Sequence, residues 1–318
     1  MEGPLTPAQA DTLRRLRGDG PALTFDPELR ADLREQLETR LQPWTDLLPD
    51  PKFARGAKPL WAGKTPLGRV LTCEAHHVAE SARPFLWSLA SVRGTVAHKA
   101  IELSLHRTDR PSPLELVDAA FERLEADGTS AGAFLGELDA SERAELRSDV
   151  NNVVIDFLDQ FPPLQPRRAW RAATELRLTA DICGGRVTLQ GKVDLALGAP
   201  VGSEAGRVFI ELKTGATRSQ HVDDLRYYAL LETLKVGVPP RRLAVHSLDR
   251  GQLATFEVDE DVLRSAVMRT VDGVARLVQL HLGLRSPEVV PNPVCSWCCA
   301  RDTCEGSTRW ADTDPDAL

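Results

Sequence analysis

The pattern of apolar and polar positions divides the chain into three textures. Residues 1 to about 60 mix helical spacings with proline breaks, as in "LQPWTDLLPDPKF", and predict a helical, irregular extension. "TPLGRVLTCEAHHVAE" then offers a cap-like Thr65-Pro66 and apolar spacing for a short helix around Cys73. In "SVRGTVAHKAIELSL", Val96, Ala100 and Leu103 recur at helical intervals, which puts His98 and Glu102 one turn apart on another face. Residues 111–160 predict two or three amphipathic helices, closed by Pro162-Pro163.

The texture then changes. "ATELRLTADI", "RVTLQGKVDLAL" and "RVFIELKT" are short, rich in β-branched and aliphatic residues, and separated by glycine-bearing turns, so they predict three strands. A helix over "VDDLRYYALLETLKVG", a strand pair "RLAVHSL" and "LATFEV" about a turn at Asp249-Arg250-Gly251, and a long helix over 259–284 complete the pattern. This order predicts an α/β fold with a mixed central sheet flanked by helices. The expected organisation is an extension at 1–60, a core at 61–290 with a helical insertion at about 105–163, and a cysteine-rich tail at 291–318.

Composition narrows the setting. The chain has 318 residues and a net charge of −7, which argues against a uniformly basic surface but leaves room for a local basic groove. No apolar run has the length of a membrane span and the N-terminus lacks a signal-peptide core, so a cytoplasmic protein without a membrane partner is expected. Disulfides are rare in that compartment. Of six cysteines, four (Cys295, Cys298, Cys299, Cys304) crowd into "NPVCSWCCARDTCEGS", and clustered thiols there read as metal ligands first.

The chemistry centres on "RVFIELKTG". Glu211 and Lys213 share a strand face with Phe209, an expensive arrangement beside a buried face unless something binds between them. "QGKVDLAL" places Asp194 on the preceding strand, within reach if the register suits. Two carboxylates converging beside an ammonium suit a hard cation such as Mg²⁺ or Mn²⁺, which shares its remaining ligands with water and phosphate. Lys213 would stabilise charge on the phosphate or orient the attacking water.

The series "GTVAHKAIE", "GKVDLAL", "FIELKTG" and "LRYYALL" resembles the RecB-like branch of the PD-(D/E)XK nucleases over about residues 65–305, in the family's motif order. The resemblance implies a restriction-endonuclease-like core, with His98, Asp194 and Glu211 as metal ligands and Lys213 as the catalytic lysine. Tyr228 keeps its motif position, and Glu175 in "ATELRL" matches an acidic residue often found one strand before the aspartate. The pattern departs at Asp224, where the family usually has glutamine; Gln220 lies one turn earlier. His76, His77 and His221 have no comparable context and read as surface residues, with His77 singled out only for its closeness to Cys73.

Cys295, Cys298 and Cys304 follow C-x2-C-x5-C, and Cys73 lies far upstream. A zinc ribbon would prefer two CxxC pairs, whereas four thiolates from both ends of a chain can ligate a cubane cluster. The iron–sulfur subgroup of these nucleases, which includes the AddB nuclease domain and CRISPR-associated adaptation nucleases, has the same arrangement. The resemblance therefore implies a [4Fe–4S] cluster on Cys73, Cys295, Cys298 and Cys304, with Zn²⁺ as the alternative and Cys299 as a rival to Cys298. Cys183, in a turn, reads as an incidental thiol.

For DNA contact, Arg167, Arg168, Arg171 and Arg177 around Trp170, with Lys192, Arg218 and Arg226, are the candidate cations. The expected activity is metal-dependent hydrolysis of DNA, as an exonuclease on single strands or ends in repair, recombination or defence. No helicase motif is visible, so any motor would be a partner protein. A DNA-binding scaffold subunit and a cluster-based redox sensor are the alternatives from other classes.

Overall fold

The computed structural model describes residues 4–52, 54, 56–106, 111–164, 170–215 and 219–313. Helices α1 (Pro7–Arg17) and α2 (Leu29–Thr45) lead to strand β1 (Leu60–Gly63) and helices α3 (Lys64–Thr72) and α4 (Glu74–Ser81). Helix α5 (Leu89–His106) is followed by α6 (Pro113–Ala126), α7 (Ser130–Glu137) and α8 (Ala140–Gln160). Strands β2 (Ala173–Ile182), β3 (Val187–Leu197) and β4 (Val208–Lys213) come next, then α9 (Ser219–Val236), β5 (Arg242–Ser247), β6 (Gln252–Glu257) and α10 (Glu260–His281). Helix α11 (Glu305–Thr313) follows the cysteine-rich stretch.

One mixed sheet runs β1-β3-β4-β5-β6, with β2 against the opposite edge of β3. β1 lies parallel to the first half of β3 and β4 antiparallel to its last three residues, so both share one edge of that strand. The helix α9 makes the crossover between the parallel pair β4 and β5.

Helices cover both faces of the sheet. On one side Leu33, Leu37 and Leu41 of α2 and the stripe Leu263, Val267, Val274 and Val278 of α10 pack around α9. The middle of α9, from Tyr227 to Leu234, is buried because sheet and helices enclose it, while its two ends carry most of its polar and charged residues. On the other side α5, α6 and α8 bury Val96, Ile101, Phe121, Val150 and Phe157 against Ile210, Leu212 and Ala244. Capping boxes at Ser112/Glu115 and Asp139/Glu142 fix the starts of α6 and α8.

The single helix expected around Cys73 is two. Cys73 is extended (φ −164°, ψ 117°), serving as the C-cap of α3 and the N-cap of α4, and this break turns its thiol toward the tail. Among the described residues no helix is long and apolar enough to cross a membrane.

Candidate active site

The site forms where strand pairing stops. In the β3–β4 ladder Leu195 pairs with Ile210, making Asp194 and Glu211 the next opposed positions, but pairing ends before them. On the other edge Thr174 pairs with Leu195 and Leu176 with Val193. Glu175 thus stands opposite Asp194 at a position that the β2–β3 ladder skips. Three carboxylates from three adjacent strands therefore lie in one row.

The freed backbone of Leu212 organises this row. Its N–H donates to Asp194 Oδ2 at 2.8 Å, and its carbonyl lies 3.1 Å from His98 Nε2. With a proton on Nε2 for that carbonyl, a neutral ring would turn its Nδ1 lone pair toward Asp194 Oδ1, 3.6 Å away. Two acceptor atoms that close need a proton or a cation between them. Metal-bound histidines commonly donate the other ring N–H to a carbonyl in this way. Arg93 anchors α5 in this pose, donating to Thr214 O at 3.0 Å and to Asp249 Oδ1 at 2.8 Å.

Glu175 completes the set. One donor atom each from His98, Glu175 and Asp194 lie within 4.8 Å of one another, a fit to a small cation with oxygen and nitrogen ligands. Glu175 has a left-handed backbone (φ 52°), a costly state for glutamate within a strand. Lys192 forms an ion pair with its carboxylate.

Glu211, fully buried, is held by two ammoniums on one oxygen: Lys213 Nζ at 2.6 Å and Lys64 Nζ at 2.8 Å from Oε1. Oε2 has no hydrogen-bond partner. A buried carboxylate oxygen with free lone pairs is a costly vacancy for hydrogen bonding and a ready place for a cation. Burial opposes the charge on Glu211, yet Lys213 and Lys64 outweigh it and hold the carboxyl below its usual range. Burial, reinforced by the Glu211 charge, pushes Asp194 above its usual range.

The predicted residues are thus brought together, with one shift of emphasis. His98 and Asp194 group most tightly with Glu175, while Glu211 stands alongside, tied to its lysines. Glu102 does not orient His98; it accepts from Lys99 Nζ at 2.7 Å. Tyr228 is buried, with its ring beneath Lys64 Nζ at 5.4 Å, and its neighbour Tyr227 donates to Ala62 O at 2.7 Å. Asp224 faces the cavity between α3, α9 and α10, and burial pushes its carboxyl up to about 6. Gln220 packs over Gly68 of α3. Lys64 carries no motif and sequence reasoning missed it; only its place after β1, which lies along β3, brings it here.

The four expected cysteines also converge. Cys73, Cys295, Cys298 and Cys304 line one small cavity, with His76 Nδ1 3.2 Å from Cys298 Sγ. It is His76, rather than His77, that the turn of α4 points at the thiols. Cys299 faces Glu80 instead, and Cys183 lies beside Thr45. Trp170 is partly buried and packs against the core, and Arg226 pairs with Asp223 at 3.3 Å. Arg171 and Arg177 are exposed; Arg167, Arg168 and Arg218 lie outside the described residues.

No curated protein matches the chain. Solved structures similar to it include an Eubacterium rectale protein provisionally named an exonuclease, 12% identical, covering 83% of this chain and 92% of that one with a TM-score of 0.47. SSO0001 is another, 14% identical over 86% of this chain and 95% of that one, with a TM-score of 0.38. The profile of the PD-(D/E)XK nuclease superfamily matches residues 65–305. That span contains Lys213 and the whole row of carboxylates, and the chain belongs to the PD-(D/E)XK nuclease superfamily.

Proposed function

We propose that the protein is a metal-dependent deoxyribonuclease of the RecB-like branch, acting as an exonuclease on single strands or DNA ends. The observation that carries this reading is the row Glu175, Asp194 and Glu211, flanked by His98, whose Nε2 faces the Leu212 carbonyl, and by Lys213. His98 Nδ1, Asp194 Oδ1, Glu175 and Glu211 Oε2 would hold Mg²⁺ or Mn²⁺. When bound, such an ion neutralises phosphate charge and lowers the pKa of water. Lys213, which donates to Glu211 Oε1 in this state, would turn its ammonium to a phosphate oxygen or the attacking water. The Leu212 backbone keeps Asp194 and His98 oriented throughout. A helicase or another DNA-processing protein would supply any motor.

The tail 291–318, with Cys73, would carry a [4Fe–4S] cluster that ties the start of α4 to the end of the chain. Cys73, Cys295, Cys298 and Cys304 line one cavity with a single CxxC pair among them, which supports a cubane over a zinc ribbon. Iron and acid-labile sulfide in anaerobically purified protein test this, and stoichiometric zinc without iron overturns it.

The activity test compares wild type with Lys213→Ala on end-labelled single- and double-stranded DNA in Mg²⁺, Mn²⁺ or EDTA. Metal-dependent degradation, absent from the variant, is the expected result. A wild type inert on both substrates with its cluster intact sinks the enzyme reading. It then favours a DNA-binding scaffold subunit, for which the Asp224 departure is the relevant observation.

A further inference from the structure

We infer that Lys64 is a second active-site lysine, a positioning residue that secures Glu211 Oε1 so that Lys213 is free to serve the substrate. The inference rests on the nuclease reading. Lys213 and Lys64 both donate to one oxygen of a carboxylate that has no access to solvent. If Lys213 were the sole partner, each excursion of its ammonium toward a phosphate would leave Glu211 buried without a counter-charge. Lys64 removes that conflict, because its own ammonium stays on Oε1 while Lys213 swings away.

Three features keep Lys64 in place. It is the first residue of α3, immediately after β1, which is hydrogen-bonded to β3 at Leu60–Gly63. Its ammonium lies over the Tyr228 ring, and Tyr228 is immobilised against β3. Its side chain keeps 30% of its exposure, so its charge is only partly desolvated. Burial works against that charge, yet Glu211 and Tyr228 outweigh it and hold the ammonium above the ordinary lysine value.

The same geometry sets a measurable opposition. Glu211 Oε2 is the unpartnered oxygen, so the Lys64 charge sits one carboxylate width from the cation it would accept. Removing that charge should strengthen cation binding and slow the chemistry at once. General misfolding does not produce this pair of effects.

The experiment measures Mn²⁺ affinity by calorimetry, with kcat and KM on single-stranded DNA, for wild type, Lys64→Met, Lys64→Arg and Lys213→Ala. Lys64→Met should bind Mn²⁺ about tenfold tighter, from the lost repulsion of a nearby positive charge. At saturating Mn²⁺ its kcat should fall about a hundredfold with KM unchanged, the scale of a misplaced catalytic group. Lys64→Arg, which keeps the charge, should return Mn²⁺ affinity to wild type and recover much of kcat. Wild-type kcat in Lys64→Met, or Mn²⁺ binding that is unchanged or weaker, overturns the role of Lys64 while leaving the nuclease reading intact. Should the wild type fail to cleave, the nuclease reading falls. The Mn²⁺ titration then decides alone whether Lys64 bears on the Glu211 site.

Discussion

Replacing Glu74 by glutamine tests how the two ends of the chain are joined. Glu74 opens α4 directly after Cys73 and is 1% exposed. Its carboxylate accepts from both terminal nitrogens of Arg285, from Arg276 Nη1 at 3.5 Å, and from the Glu288 N–H at 2.9 Å. The Ala75 N–H donates back to Glu288 O at 3.1 Å, and Cys73 Sγ lies 3.8 Å from that carbonyl. A buried pair broken on one side costs about 3–5 kcal/mol. The guanidiniums here keep 34% and 31% exposure and can re-solvate, which removes much of that cost. The Glu288 amide cannot do so as readily, and its weakened charge-assisted bond adds about 1 kcal/mol. The net expectation is a loss of about 2–3 kcal/mol near neutral pH.

The pH dependence gives the sharper check. Hydrogen bonds from Arg285 are the largest influence on Glu74 and, against the opposing effect of burial, hold its carboxyl below the usual value of 4.5. A depressed folded-state pKa stabilises the protein above the unfolded value, and the benefit fades as pH falls through the folded one. Urea unfolding of wild type and Glu74→Gln, at neutral pH and in acid, should show a gap that narrows on acidification. A difference under about 1 kcal/mol at neutral pH, or one that acid leaves unchanged, refutes the reasoning. On the proposed cluster reading, the variant should also retain less iron after aerobic purification, since Cys73 and the tail are no longer held in register.

Three further perturbations have defined outcomes. A Cβ at Gly191 would sit 2.6 Å from Cδ1 and Cε1 of Tyr228 and 2.9 Å from Leu231 Cδ1. Gly191→Ala should cost about 2 kcal/mol in urea unfolding and lower nuclease activity by displacing the Tyr228 ring; a neutral variant contradicts the packing. Asp224 rises from 3.8 to about 6 through burial, so its folded-state pKa exceeds the unfolded one and stability is lost as pH climbs between them. In metal-free buffer Asp224→Asn should therefore be more stable than wild type by about 1–2 kcal/mol above that interval, and no more stable below it. Finally, Glu175→Gly relieves a left-handed glutamate, so without metal it should match or exceed wild-type stability by about 0.5–1 kcal/mol. Its Mn²⁺ affinity should drop at least about tenfold, and wild-type affinity would exclude Glu175 from the cation site.

How much of this was legible in the sequence varies by element. The strands "ATELRLTADI", "VTLQGKVDLAL" and "FIELK" stand out because glycine turns bound them and β-branched residues fill them. β1 does not: four residues, half of them solvent-accessible, give no periodicity, and their partner lies more than a hundred residues on. The break at Cys73 was equally hidden, since the apolar spacing continues across it. Motif order pointed to His98, Asp194, Glu211 and Lys213, and it matched Glu175 to an acidic residue one strand before the aspartate. Its significance lies in a positive φ and a skipped rung, neither of which glutamate announces. Lys64 had no signal at all, for a lysine after a glycine looks like any solvated helix start.

The site and the sheet compete for the same backbone, and this explains where the site lies. Leu212 can bond to β3 as a continuing strand, or bond to Asp194 and His98, but its single N–H and its carbonyl lobe toward that edge cannot do both. The ladder between β3 and β4 stops after three residue pairs, although β3 runs on for eight residues beyond them toward its N-terminus. β1 takes over part of the vacated edge at Val187–Gln190, and the gap between the two partners leaves Asp194 without a ladder partner on that edge. A longer β3–β4 ladder would be more stable as a sheet, and it would close the row of carboxylates. The same interruption brings β1 close to β4, and so carries Lys64 to Glu211. The freed Leu212 backbone, its contacts with Asp194 and His98, and the paired lysines on Glu211 are consequences of one short ladder.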